Sequence, residues 1–244
     1  MKKIISIANH KGGVGKTTSV SSLGVALSRM GKRVLLVDID AQRNLTDTRG
    51  TPQTERTIYE SLHDLGTLPV VSLSENLDIC PSSLDLVSMD IELSTLPDRE
   101  SRLKKLLQKV SYDFVLIDCP PSLGLLTINA LSASDEVIIP LVPEALPTKG
   151  LASLLGIIER VQESFNPTLT LGGVVITRYN RRKLNRVIEE TLREELGDKV
   201  FQTRIRENVD ISESPLQGQD IFTYSPNSKG AEDYWSLALE ILQK

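Results

Sequence analysis

The sequence predicts an α/β fold: a single doubly wound, mostly parallel sheet with helices on both faces. Three observations carry that expectation. Short aliphatic runs alternate with helix-period segments along all 244 residues, the pattern of strand–helix–strand units joined right-handedly. The chain is 40% hydrophobic but only 4% aromatic, and Ile, Leu and Val suit strands buried on both faces of a parallel sheet. No internal repeat and no linker rich in Pro, Gly or Ser divides residues 1–244, which are read as one domain. A chain of that length buries roughly three quarters of its unfolded surface.

The elements follow in order. Ile4 to Ala8 reads as the first strand, and Lys16 to Met30 as a helix closed by Gly31. Val34 to Val37 is the next strand. A polar stretch from Asp40 to Thr57 precedes a short helix around Ile58 to Leu65. Leu77 to Cys80 reads as a strand and Arg99 to Val110 as a helix. Phe114 to Ile117, Val137 to Leu141 and Gly173 to Thr177 are further strands, and Val200 to Ile205 adds another. Helices fill Leu123 to Leu131, Lys149 to Glu163 and Leu184 to Leu196. In the last helix, Ala231 to Gln243, the residues Tyr234, Leu237, Ala238 and Ile241 form one stripe suited to docking on the core.

Bulk charge narrows the functional classes. A net charge of −4 excludes a chain that is basic as a whole, so contact with nucleic acid requires a local patch. Cys80 and Cys119 supply neither a disulfide framework nor metal-ligand spacing. Met1-Lys2-Lys3 resembles the start of a signal sequence, but the apolar run behind it is too short, and no 18-residue apolar run follows. A cytoplasmic protein is expected, with no membrane contact.

The run His10-Lys11-Gly12-Gly13-Val14-Gly15-Lys16-Thr17-Thr18 follows a strand and opens a helix. The pattern G-x-x-x-x-G-K-[ST] requires glycine where His10 stands, so the match is to a variant. The physics still favours a phosphate cradle, because backbone N–H groups and the helix dipole point at an anion. Gly12, Gly13 and Gly15 permit the close approach that such a cradle needs. Lys16 reaches the β/γ-phosphates and the Thr17 hydroxyl ligates magnesium. The dinucleotide fingerprint G-x-G-x-x-G fails at Thr18. Lys11 is superfluous for one nucleotide: it is either a solvated charge or a cation reaching a γ-phosphate across a dimer interface. Asp38 and Asp40 close the second strand, where open α/β sheets place their ligand crevice. Asp40 is the candidate for orienting the attacking water or for contacting magnesium through water; Asp38 ties the loop. Asp118, after Phe114-Val115-Leu116-Ile117, is a carboxylate delivered by a buried strand beside magnesium.

Taken together, K-G-G-V-G-K-T-T, V-D-I-D and F-V-L-I-D-C-P-P resemble the deviant-Walker ATPases of the ParA/Soj/MinD superfamily. The segments Ile117 to Leu131 and Asn208-Val209 to Ser214-Pro215 are similar to its Soj-type chromosomal branch. The resemblance spans nearly the whole chain and implies one P-loop ATPase domain using ATP and Mg2+. It makes Lys11, Lys16 and Asp40 catalytic, and sets Lys11 through Thr18 on the nucleotide. It assigns the metal to Thr17, with Asp40 and Asp118 acting through water. Asn208, and with it Arg206, falls on the adenine-side loop. The implied activity is an ATP-dependent homodimer that binds double-stranded DNA non-specifically and releases it when a ParB-like partner stimulates hydrolysis, at the nucleoid. Alternatives are an ATPase positioning a protein cargo, a MinD-like membrane regulator, and a ligase or reductase on the same scaffold. Arg43 departs from the glycine that relatives carry in Pro-Gln-Gly-Asn.

Arg178, Arg181, Arg182, Lys183 and Arg186 crowd nine residues without an acid. They read either as a solvated face or as phosphate-backbone contacts without sequence readout. Arg204 and Arg206 extend the stripe.

Overall fold

A computed structural model describes residues 2–144 and 147–244 of the chain. Its strands are β1 (Lys3–Ile7), β2 (Val34–Asp38), β3 (Val71–Ser74), β4 (Leu77–Cys80), β5 (Phe114–Asp118), β6 (Glu136–Leu141) and β7 (Thr170–Ile176). They form one sheet in the order β3-β4-β2-β5-β1-β6-β7. Every pairing is parallel except that of the edge strand β3 on β4. The helices before β5 are α1 (Lys16–Arg29), α2 (Asn44–Thr48), α3 (Ile58–Asp64), α4 (Leu86–Ser94) and α5 (Arg102–Leu107). Those after it are α6 (Leu125–Ala133), α7 (Pro147–Ser164), α8 (Lys183–Leu196), α9 (Val209–Glu213), α10 (Ile221–Tyr224) and α11 (Lys229–Gln243).

Strand alternation divides the core in two. Ile5, Ile7, Leu36 and Leu116 face α1 and α11, meeting Leu23, Leu27, Tyr234 and Leu237. Leu35, Val37, Val115 and Ile117 face the other layer, where Leu62, Leu103, Leu131 and Leu154 pack. Burial on both sides is why these strands read as unbroken aliphatic runs. The terminal helix buries its expected stripe, and Ser228 caps it by accepting from Ala231 N at 3.2 Å. Among the described residues no helix is long and apolar enough to cross a membrane.

One expected strand is corrected. Val200 to Ile205 makes only isolated bridges, Val174 with Val200 and Tyr179 with Arg206. Phe201 and Ile205 still bond the backbone of β7 and Tyr179, but between them side chains intervene: Arg193 donates to the carbonyls of Val200 and Phe201, and Glu240 accepts from the N–H groups of Gln202 and Thr203. The predicted helix over Arg99 to Val110 is shorter, and α2, β3, α4, α9 and α10 were not anticipated.

The chain therefore delivers the β1–α1 turn, the end of β2 and the end of β5 to one carboxyl edge. Asp38 of β2 lies in register with Asp118 of β5, and β5 in turn pairs with β1.

Candidate nucleotide-binding site

The loop between β1 and α1 is fixed from both sides. Asn9 donates to Pro140 O of β6 at 2.8 Å and accepts from Lys11 N at 3.0 Å. Thr177, beyond β7, donates its hydroxyl to Val14 O at 2.9 Å. Gly13 and Gly15 have φ of 73° and 88°, left-handed values that glycine adopts without steric cost. Gly15 is the N-cap of α1 and offers no side chain, so the first N–H groups of that helix stay open to an anion. Buried Lys16 lies across the loop, donating to Lys11 O at 3.2 Å. Thr17 and Thr18 are half-buried beside it, and Gly12 is exposed. Among the described residues no group pairs with the half-buried Lys11 ammonium.

The three carboxylates differ in their partners. Asp38 accepts from Asp40 N, Thr46 N and the Thr46 hydroxyl at 3.1, 2.9 and 2.7 Å. It ties the loop after β2, as expected. Burial pushes it up to about 6, against the pull of those hydrogen bonds. Asp40 accepts from Gln42 N at 3.0 Å through one oxygen, and its carbonyl accepts from the Ser82 hydroxyl at 2.6 Å. Asp118 is fully buried, and neither oxygen accepts a hydrogen bond of acceptable geometry among the described residues. Burial, and then the charge of Asp38, raise it well above the usual carboxylate range; the neighbouring Thr17 hydroxyl and Lys16 charge pull the other way. A buried, unsatisfied carboxylate beside a threonine hydroxyl and a lysine fits a hydrated divalent cation at a phosphate group. Cys119 next to it is a buried thiol that burial pushes up to about 12.

Beyond the loop opens a cleft of about 520 Å³, bordered by Gly13, Gly15, Thr18, Arg178, Asn208 and Tyr234. Asn208 caps α9 by accepting from Asp210 N at 2.8 Å. Arg206 also lines the cleft, but its guanidinium is held by Asp233 and Glu232 at 2.6 and 2.7 Å. The expected extension of the basic stripe is corrected here, since Arg204 pairs with Glu189 at 2.6 Å and stacks over Tyr179. By contrast Arg178, Arg181, Arg182, Lys183 and Arg186 are exposed, and none uses its charged group in an ion pair or hydrogen bond among the described residues. The last four cluster at the start of α8, while Arg178 has a left-handed φ of 50° beside the phosphate loop. Sequence reasoning missed the Thr177 tie to Val14 and the Ser82 tie to Asp40. Neither has a local signal, because their partners lie 163 and 42 residues away.

A family model described as an AAA domain matches residues 2–171. The chain is 45% identical to the sporulation initiation inhibitor protein Soj of Bacillus subtilis, covering 99% of this chain and 98% of that protein. It is 41% identical to the chromosome partitioning protein ParA of Caulobacter vibrioides, covering 99% and 94%. Among solved structures it is similar to a cobyrinic acid a,c-diamide synthase from Mycobacterium smegmatis with bound ADP and magnesium. There the TM-score is 0.88 at 34% identity, covering 100% of this chain and 95% of that one.

Proposed function

Because the chain belongs to the AAA-domain family and, within it, to the Soj/ParA chromosome-partitioning ATPases, we propose that it is an ATP-dependent partitioning switch built as one ATPase domain. The observation that carries this reading is the buried, unpaired Asp118 beside Thr17 and Lys16 at the mouth of a pinned glycine loop. The solved relative with bound ADP and magnesium supports the cofactors.

In this reading the N–H groups of Gly12 through Thr18 and the Lys16 ammonium hold the ATP phosphates. Thr17, with Asp118 and Asp40 through water, would hold Mg2+, which supplies charge neutralisation at the phosphates. Asp40 orients the attacking water through its oxygen that has no hydrogen-bond partner among the described residues. Lys11, whose ammonium has no partner among the described residues, reaches the nucleotide of a second subunit, so that ATP closes a homodimer. Asn208 and Arg206 border the adenine.

The dimer then grips double-stranded DNA non-specifically. Arg178, Arg181, Arg182, Lys183 and Arg186 are suited to phosphates because no carboxylate among the described residues pairs with them. Doubling such a patch by dimerisation raises avidity without new contacts. A ParB-like partner stimulates hydrolysis and releases the DNA, placing the protein on the nucleoid in the cytoplasm. A MinD-like membrane role is disfavoured, because α11 buries Tyr234, Leu237, Ala238 and Ile241 in the core, and its exposed Trp235 and Leu239 lack the run of basic residues that a lipid-binding helix carries.

The test is DNA binding measured with ATP, ADP or no nucleotide across a salt series, on the wild type, Lys11→Ala and Arg182→Glu. The expected result is ATP-dependent binding that both variants lose, with ATP binding retained by Arg182→Glu. Binding that ignores nucleotide, or none at any salt, would overturn the switch.

A further inference from the structure

Leu84, Val87 and Ile91 are 66%, 72% and 76% exposed. At spacings i, i+3 and i+7 they form one stripe along α4 and the residue leading into it. The opposite side of α4 is already buried through Leu86, Met89 and Leu93. The helix is thus apolar on two sides, one in the core and one facing water, and an exposed apolar stripe of this kind marks a docking surface.

The flanks of the stripe are acidic. On the helical wheel Asp90 runs along one side and Asp85 and Glu92 along the other, and no Lys or Arg lies between residues 84 and 98. Glu92 accepts from Tyr59 and Ser88 and lies 3.6 Å from His63, and Asp90 caps α6, so Asp85 is the exposed carboxylate of the three while the others add to the negative field. A second copy docking through the same face would set carboxylates against carboxylates. The occupant is therefore basic.

The helix and the turn leading into it touch both segments that carry catalytic candidates. Ser82, two residues before the stripe, holds the Asp40 carbonyl at 2.6 Å. Asp90 accepts from Leu126 N at 2.9 Å, capping α6 directly after the Asp118–Gly124 segment. Gly124 lies so close that a Cβ there would overlap the Asp90 carboxylate. Anything that shifts α4 is mechanically connected to both Asp40 and the segment after Asp118.

We propose that this stripe is the docking face of the hydrolysis-stimulating partner, which presents an amphipathic segment: two or three aliphatic side chains seated on Leu84, Val87 and Ile91, with Lys or Arg paired to the flanking carboxylates. The inference rests on the partitioning-switch reading. It places the partner off the nucleotide, where it acts by moving α4.

The test measures ATP turnover with DNA present, with and without a purified ParB-type protein as the probe. The chains compared are the wild type, a Val87→Ser/Ile91→Ser double variant, Asp85→Lys, and Leu239→Ser as a control at an exposed apolar position on α11. The double variant should keep its basal turnover and ATP-dependent dimer while stimulation falls about tenfold or more. Asp85→Lys should weaken stimulation and flatten its salt dependence, and Leu239→Ser should behave as wild type. Full stimulation of the double variant overturns the docking face. So does loss of its dimer, which would make the stripe a subunit contact. A wild type that the partner does not stimulate overturns the partitioning-switch reading itself, an outcome distinct from the other two.

Discussion

Arg43 holds a left-handed backbone, φ 56° and ψ 21°, at the N-cap of α2. Among the described residues its side chain makes one ion pair, to Asp47 at 3.2 Å, and its buried Nε has no partner. A non-glycine residue there costs about 1–2 kcal/mol, whereas the exposed pair is worth about 0.3–0.5 kcal/mol. Arg43→Gly should therefore stabilise the protein by about 1 kcal/mol, a rise of about 2–4 °C in Tm by calorimetry; an unchanged or lower Tm would contradict the strain. Asp118 behaves in the opposite sense. Its charge is buried with no well-formed hydrogen bond among the described residues, and burial outweighs the pull of Thr17 and Lys16, so Asp118→Asn should leave the nucleotide-free protein at least as stable while weakening Mg-ATP binding about 10- to 100-fold. Titration calorimetry at fixed magnesium reads the affinity, and wild-type affinity would remove Asp118 from the site. The phosphate loop and these carboxylates were legible in the sequence because each sits in a contiguous run whose neighbours fix its place. Arg206 was legible as a cleft residue, but the commitment of its charge to Asp233 and Glu232 was not, since those partners come 26 and 27 residues later.

Among the elements, α8 is tied to its neighbours by a buried carboxylate as well as by buried Asn185 and Leu192. Glu189 accepts from Arg193 at 2.9 Å and Arg204 at 2.6 Å. Burial raises its pKa, but hydrogen bonds from the two arginines outweigh that and hold it below the usual value. A depressed carboxylate stabilises the fold above its unfolded pKa, about 4.3, and that contribution is lost as pH falls through the folded value. Glu189→Gln should thus cost about 1–3 kcal/mol at pH 7 in denaturant melts, with the gap to wild type closing below about pH 4. A gap constant with pH would mean that packing, not charge, is at stake. The same segment shows why local pattern misleads: Val200 to Ile205 has strand composition, but Arg193 of α8 and Glu240 of α11 take the Val200 and Phe201 carbonyls and the Gln202 and Thr203 N–H groups that would continue a ladder. The reverse holds for α4, where Val87 and Ile91 outside and Leu86 and Met89 inside erase the one-sided period that marks a surface helix. At β3 a half-exposed Val-Ser-Leu-Ser edge is too short and polar to register. The central strands were readable because burial on both faces leaves an aliphatic run at each.

At the scale of the whole molecule, the carboxyl edge of the sheet connects two sites that the sequence keeps far apart. The loop after β1 meets Thr177 at the end of β7, and the next residue, Arg178, borders both the phosphate loop and the run of free cations leading into α8. Occupancy of the loop is thus one residue removed from the surface proposed to grip DNA. The chain as a whole carries a charge of −4, so the general field repels DNA and the local cations must supply the attraction. That makes the salt dependence of binding a sharp measure of them. If three of the five cations on each subunit of an ATP dimer meet phosphates, log K against log salt should fall with a slope of about −5. Arg182→Ala removes one contact per subunit, so the slope should shallow by about 2 while ATP-driven dimerisation, followed by light scattering, is unchanged. A variant that binds more weakly with its slope intact would mean that Arg182 shapes the surface without touching phosphate.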